Sequence, residues 1–188
     1  MKKIALVFIC TFLVGCASDP DKRRLVAIEE SSGMQPTSES LSSFDNFKLA
    51  NMTLAPSVQT EPEKVVVAKR LEVKLKTKLD PLISNWNAKS GYVQDGRTVE
   101  IQPRVVSLRV ISGTTRFFAG AFAGQSEISM DLILLDKETG EEIGRTRVQR
   151  TAGAFAGAWS IGMTDKSLLD YIVDIAYQYL VDNYKEAE

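Results

Sequence analysis

Residues 126–151 read SEISMDLILLDKETGEEIGRTRVQRT, and this stretch decides the fold. Ile128, Met130, Leu132 and Leu134 fall on one side of its first half, with Glu127, Ser129 and Asp131 on the other. A period of two is the mark of a strand that turns one face to a core. Asp136-Lys137-Glu138-Thr139-Gly140 then has turn chemistry, with Gly140 free to take a positive φ. Residues 141–151 return as the partner strand. An antiparallel hairpin of this length implies a meander.

Working outward, helical periods bracket the hairpin. Val67, Leu71, Leu75 and Leu79 recur every four residues behind Glu61-Pro62-Glu63, which has the proline and acids of a helix start. Asp80-Pro81 either kinks this helix or caps a second one carrying Leu82, Ile83 and Trp86, and Gly91 marks the end. At the other end of the chain, Thr164 can cap a helix reaching Tyr184, with Leu168, Ile172, Ile175 and Tyr179 as its stripe. Residues 97–111 are rich in strand formers, although Pro103 has to lie at an edge or a bulge. Residues 47–54 alternate enough for a first strand. The expected class is α+β: an antiparallel sheet of about four strands against a long helix and a C-terminal helix, preceded by a flexible tether.

The amino terminus has its own grammar. Lys2 and Lys3 precede an apolar run, residues 4–14, that is too short for a membrane-spanning helix of ~20 residues. The run closes on Leu13-Val14-Gly15-Cys16, which resembles a lipobox, the cleavage and diacylation signal of bacterial lipoproteins. The expected organisation is a signal peptide over 1–15, lipidated Cys16 with a tether over 16–46, and a periplasmic domain over 47–188. The tether reading rests on its polar, Ser- and acid-rich composition, which buries too little apolar surface to offset ordering entropy. Leu25, Val26 and Ile28 are the one place in it for a short docked segment, and Lys22-Arg23-Arg24 the one basic cluster. The lipoprotein pattern, with Ala17 rather than Asp after the cysteine, implies the outer membrane, facing the periplasm.

Composition removes whole classes of chemistry. The chain has no histidine, which excludes His-ligated metals and Ser-His catalysis. Of its two cysteines, Cys10 lies in the signal and Cys16 is consumed by acylation, leaving no thiol for a disulfide or a nucleophile. The formal net charge is −1, and −3 without Lys2 and Lys3, so the mature chain has no excess of cations for nucleic acid. Asp131, Asp136, Glu138, Glu141 and Glu142 lack the alternating spacing of a calcium loop and read as solvated hairpin charges. No catalytic residues, metal or cofactor are expected.

The unusual element is an exact repeat: Gly120-Ala121-Phe122-Ala123-Gly124 recurs as Gly153-Ala154-Phe155-Ala156-Gly157. The copies flank the hairpin, so both leave the sheet at the end opposite its turn. Phe117, Phe118, Gly120, Phe122, Gly124, Gly153, Phe155, Gly157 and Trp159 therefore form a candidate interaction tip, apolar and Gly-rich. The alternative is that these small residues and aromatics pack into the core beneath the helices.

The order of signal, Cys16, strand and helix, Gly-rich connection, Asp136-x-x-Thr139-Gly140 hairpin, second connection and terminal helix resembles a bacterial lipoprotein family catalogued as a domain of unknown function. The resemblance covers roughly residues 45–185 and is strongest over 120–144. The layout is also similar, more distantly, to the periplasmic domain of the curli-type secretion-channel lipoprotein. There the equivalents of residues 112–125 and 152–163 are hairpins that build a transmembrane barrel. Here they are too short for two barrel strands of ~9–11 residues and a turn, so channel activity does not carry over. The expected function is that of a non-enzymatic outer-membrane lipoprotein whose domain binds or scaffolds an envelope partner. Its competitor is an oligomeric subunit of a secretion or export assembly. An enzyme working through carboxylates alone is the third class.

Overall fold

The computed structural model describes residues 20–90, 96–109, 126–151 and 163–184. In chain order they form α1 (Pro20–Ser32), a 3₁₀ turn (Leu41–Ser43), β1 (Asn46–Leu49), β2 (Thr53–Leu54), α2 (Pro56–Gln59), α3 (Pro62–Ser90), β3 (Thr98–Arg109), β4 (Glu127–Asp136), β5 (Glu142–Thr151) and α4 (Met163–Asn183). The class is α+β. The signal peptide, Cys16, Gly91 and every residue of the candidate tip lie outside the described residues, as does the side chain of Thr164.

One sheet has the order β1–β3–β4–β5, with β2 also on β3. The 126–151 hairpin forms as its alternation requires: β4 and β5 are antiparallel, with Met130 opposite Val148 and Leu132 opposite Thr146. Gly140 takes φ 74° in the turn, and its N–H donates to the Asp136 carbonyl at 2.7 Å. The sheet differs from the all-antiparallel expectation at its first edge, where β1 and β2 run parallel to β3. The cause is α3, whose 29 residues carry the chain back across the sheet as a crossover. The single strand read over 47–54 is two short ones. Ala50 and Ala55 donate to the carbonyls of Ile101 and Val105, so the backbone of Pro103 faces the same side, in the interval between β1 and β2. A proline is tolerated there because no ladder donor is needed. A bulge between Val105 and Ser107 then keeps Leu108 on the core face.

α3 is one helix, and Pro81 sits inside it without ending it. Pro81 is exposed, while Leu71, Leu75, Leu79, Ile83 and Trp86 are buried along the opposite stripe. Burial of the flanking turns holds the helix through the missing backbone bond. The Asn87 side chain accepts from the Phe47 N–H at 2.8 Å and donates to its carbonyl at 3.0 Å, tying α3 to β1. Trp86 stacks on Tyr184 at 4.2 Å between centroids, with Phe47 tilted against both. Ile172, Ile175, Tyr179 and Leu180 of α4 complete the core over β4 and β5.

Residues read as tether are ordered from Pro20 onward. Ala27, Leu41 and Phe44 are buried in the core. α1 is held on α4 mainly by polar groups: Arg23 on Asp174 at 3.1 Å, and the Ser31 hydroxyl donating to Asp182 at 2.5 Å. Of the segment singled out for docking, Leu25 and Ile28 are exposed and Ala27 is the buried residue. Composition missed this helix because it spends charge and hydroxyls, rather than apolar area, on its contact. Both bonds join residues 151 apart, so α1 and α4 run in the same direction. Lys74 and Lys78 of α3 pair with Asp170 and Asp174, so α3 shares that direction.

The segment between α1 and the 3₁₀ turn closes over β5 at Gly144. A Cβ there would meet the Thr37 methyl at 2.7 Å and the Tyr179 hydroxyl at 3.2 Å. Gly144→Ala is therefore expected to lower unfolding stability by about 1–3 kcal/mol, the usual cost of overpacking. Urea denaturation of the variant beside the parent measures it, and an unchanged midpoint would contradict the close approach.

Candidate functional site

Three strand ends lie side by side. Arg109 at the end of β3 pairs with Glu127 at the start of β4, which pairs with Thr151 at the end of β5. Neighbouring strands are ~5 Å apart, so the connections over 110–125 and 152–162 leave from adjacent roots. The hairpin turn is at the far end of the sheet. α4 runs back along β5, with Tyr171 under Arg150 and Tyr179 beside Gly144, so its first residue, Met163, lies toward the same roots. α1 runs parallel to α4 and also begins toward this end. Phe117, Phe118, Gly120, Phe122, Gly124, Gly153, Phe155, Gly157 and Trp159 belong to the two connections and lie outside the described residues.

The described surroundings of these roots are polar. Gln149 donates to Glu127 at 2.6 Å across the β4–β5 pair. Arg150 pairs with Glu30 of α1 at 2.6 Å and lies over the Tyr171 ring at 4.8 Å. One arginine thus ties α1, β5 and α4 together just inside the root of the second connection.

Of the five hairpin acids, Glu138, Glu141 and Glu142 are exposed as expected, whereas Asp131 and Asp136 are buried. Asp131 is 4% exposed on the helix-free face of β4, and Arg147 bonds both its oxygens at 2.6 and 3.0 Å. Arg145 approaches the same carboxylate at 3.7 Å and bonds Glu142, whose carboxyl it holds below the usual range. Asp136 is 2% exposed at the other end of the strand. It accepts from Arg97 at 3.1 and 2.7 Å and from the N–H groups of Glu138 and Thr139. Arg97 also grips Glu39 through two bonds, at 3.0 and 2.8 Å, and lies over the Phe44 ring at 4.1 Å. These bonds, Glu39's first and Asp136's second, raise the guanidinium's already high pKa. In turn they hold both carboxyls below their ordinary values, with Thr139 and Glu138 assisting at Asp136. Alternating sequence positions hid this, because Asp131 meets Arg147 of the neighbouring strand and Asp136 meets Arg97, which lies just before β3.

A groove of about 850 Å³ opens between α1 and α3, floored by α4, and the sequence reading has no counterpart for it. Asp174 on its floor takes Arg23 from one wall and Lys78 from the other, at 3.1 and 3.0 Å. Lys78 also lies over the Tyr177 ring at 4.8 Å. No nucleophile with an adjacent base lines it among the described residues. Among the described residues, no group of three or more His, Cys, Asp or Glu is gathered as metal ligands, and no helix is long and apolar enough to cross a membrane.

The sequence matches the family described as a domain of unknown function, DUF4410, over residues 38–156, and the chain belongs to that family. No curated protein matches it. Among solved structures it is similar to the dodecamer of a PelC variant from Paraburkholderia phytofirmans, at a TM-score of 0.47 and 12% identity, covering 78% of this chain and 94% of that one. A PelC dodecamer from the same organism in another crystal form gives 0.45 and 13%, over 77% and 95%. A candidate lipoprotein from Caulobacter crescentus CB15 gives 0.35 and 19%, over 86% and 95%.

The Arg97 centre makes stability depend on acid pH. The Asp136 and Glu39 carboxyls sit lower in the folded chain than their unfolded values of about 3.9 and 4.3. Their contribution is therefore complete above about pH 5 and is lost as pH falls through the folded values. Arg97→Gln is expected to be less stable than the parent at pH 7, with the gap narrowing toward pH 3. Urea midpoints at the two pH values check this; a gap that stays constant would mean that Arg97 acts through packing alone.

Proposed function

We propose that this chain is a non-enzymatic lipoprotein of the outer membrane, anchored through Cys16 and facing the periplasm. Its α+β domain binds or scaffolds an envelope partner through the end of the sheet from which the two Gly-Ala-Phe-Ala-Gly connections leave. The observation that carries this reading is the register of Arg109, Glu127 and Thr151, which roots both copies of the repeat side by side. Two apolar segments of identical sequence leaving neighbouring strand ends supply the aromatics for an anchored contact. The absence of histidine and the engagement of Asp131, Asp136 and Glu142 by arginines support a binding role over catalysis. Membership of the family leaves the partner unspecified. Self-association, as a subunit of a secretion or export assembly, would use the same end of the molecule.

The anchor and the tip are tested separately. Cys16→Ala is expected to abolish incorporation of labelled fatty acid in cells and to leave the unprocessed precursor, because acyl transfer needs the thiol. Label persisting in that variant would show that the anchor is elsewhere. Replacing Phe122 and Phe155 together by Ser is expected to leave the melting temperature within a few degrees while removing partner capture or self-association. Calorimetry and size-exclusion chromatography with light scattering read the two quantities on one sample. A large fall in melting temperature would assign these residues to the core instead, since a buried unpaired hydroxyl adds to the lost apolar contacts.

A further inference from the structure

The described residues expose four large hydrophobic side chains: Leu25 at 67%, Ile28 at 40%, Val66 at 50% and Val73 at 64%. All four are on α1 or α3. Val66, Lys69, Arg70 and Val73 are spaced i, i+3, i+4 and i+7 and are all exposed, so they form one stripe facing away from buried Leu71 and Leu75. On α1, exposed Arg24 adjoins Leu25 and Ile28. The two stripes border the same groove: Arg24 and Ile28 line one of its walls and Thr77, one turn beyond Val73, the other. On the far side of the sheet, β3 and β5 instead present exposed Arg104, Arg145, Arg147 and Gln149.

Chain length decides what covers this face. α1 begins at Pro20, four residues after Cys16. Four residues of extended chain span at most about 14 Å. α1 is bonded to α4 and β5 through Arg23, Ser31 and Glu30, so it cannot pay out as a spacer without breaking those contacts. Acyl chains on Cys16 would therefore hold the body against the bilayer rather than above it.

We propose that the outward faces of α1 and α3 rest on the phospholipid surface, with Leu25, Ile28, Val66 and Val73 entering the headgroup layer and Arg24, Lys69 and Arg70 meeting lipid phosphates. This deepens the lipoprotein reading and rests on it. Aliphatics flanked by long cationic side chains suit that layer, where the stems stay apolar and the charges reach phosphate. Asp21, Glu29, Glu63 and Asp80 are also exposed on these helices, so the face is close to neutral. Apolar insertion leads, and phosphate contact adds to it. The root end of the sheet then points along the membrane or beyond its rim, free for a protein.

The test uses the chain from Cys16 onward, which retains every described residue, coupled through the Cys16 thiol to a maleimide lipid in vesicles of phosphatidylethanolamine and phosphatidylglycerol at three to one. Amine-reactive labelling followed by mass spectrometry reads Lys69 against Lys48 and Lys137, all exposed. Coupling is expected to slow labelling of Lys69 by about threefold or more relative to the uncoupled chain, leaving Lys48 and Lys137 unchanged. Leu25→Glu with Val73→Glu, both at exposed positions and checked for folding by circular dichroism, is expected to restore Lys69 reactivity. Lys69 remaining as reactive as in solution, or Lys48 becoming protected in its place, would overturn the proposal. Because the coupling is chemical, a chain that docks here but takes no fatty acid in cells would overturn the anchor reading alone.

Discussion

Everything in this fold is arranged around β4, a strand buried on both faces. Ile128, Met130, Leu132 and Leu134 point into the helical layer, where α4 packs on β4. Ser129 and Asp131 point the other way and are nearly as inaccessible, at 4% each. A carboxylate in such a place is tolerable only if its charge is matched and its lone pairs are filled. Asp131 meets that condition by drawing Arg147 flat onto it from the neighbouring strand. The pairing fixes the β4–β5 register from the outer side just as the hydrophobic alternation fixes it from the inner side. A slip of one residue would bury an arginine opposite Leu132 and strand Asp131, so the two faces reinforce a single alignment.

The same logic operates at the turn end, where Arg97 is shared by Asp136 and Glu39. Asp136 closes the hairpin, Glu39 belongs to the segment leading into the 3₁₀ turn, and Phe44 lies beneath the guanidinium. One cation thereby joins the hairpin to a stretch nearly a hundred residues earlier. Thr37 and Ser38 extend that connection, donating to Asn183 and to the Ile143 carbonyl at 2.8 Å each. The amino-terminal segment is thus built into the domain by charge-assisted and backbone hydrogen bonds, with Leu41 and Phe44 as its large buried anchors among the described residues before β1.

That chemistry explains what was legible in the sequence and what was not. Periodicity located β4, β5, α3 and α4, because each spends apolar residues on one face: Leu71 and Leu75, Leu132 and Leu134, Ile172 and Ile175 are all buried. It could not distinguish a parallel from an antiparallel first strand, since alternation is the same in both, and the direction comes from α3 as a crossover. It passed over α1, whose inward positions are Arg23, Ala27 and Ser31, a stripe with almost no hydrophobicity to detect. It read Asp131 and Asp136 as solvated because their partners, Arg147 and Arg97, come from distant positions in the chain. At the candidate site, the meander argument located the two roots at one end, and Arg109, Glu127 and Thr151 lie there together. The repeat residues themselves lie outside the described residues, so their part in binding rests on sequence and on the position of those roots.

A docked α1 also changes what a lipid anchor would do. With a long free spacer, an anchored domain samples every orientation and presents all its faces equally to partners. With three residues between Cys16 and Pro20, an anchor at that cysteine would make orientation part of the design: one side of the body would be committed to the surface and the rest displayed. The division of surface chemistry agrees with this, since exposed aliphatics gather on α1 and α3 while β3 and β5 present arginines and a glutamine on the other side. The three parallel helices direct the start of α1 toward the strand ends that root the repeats. An anchor attached there and a contact surface beginning there would share one end of the molecule, so a partner held by the repeats would be brought to the membrane at a defined distance.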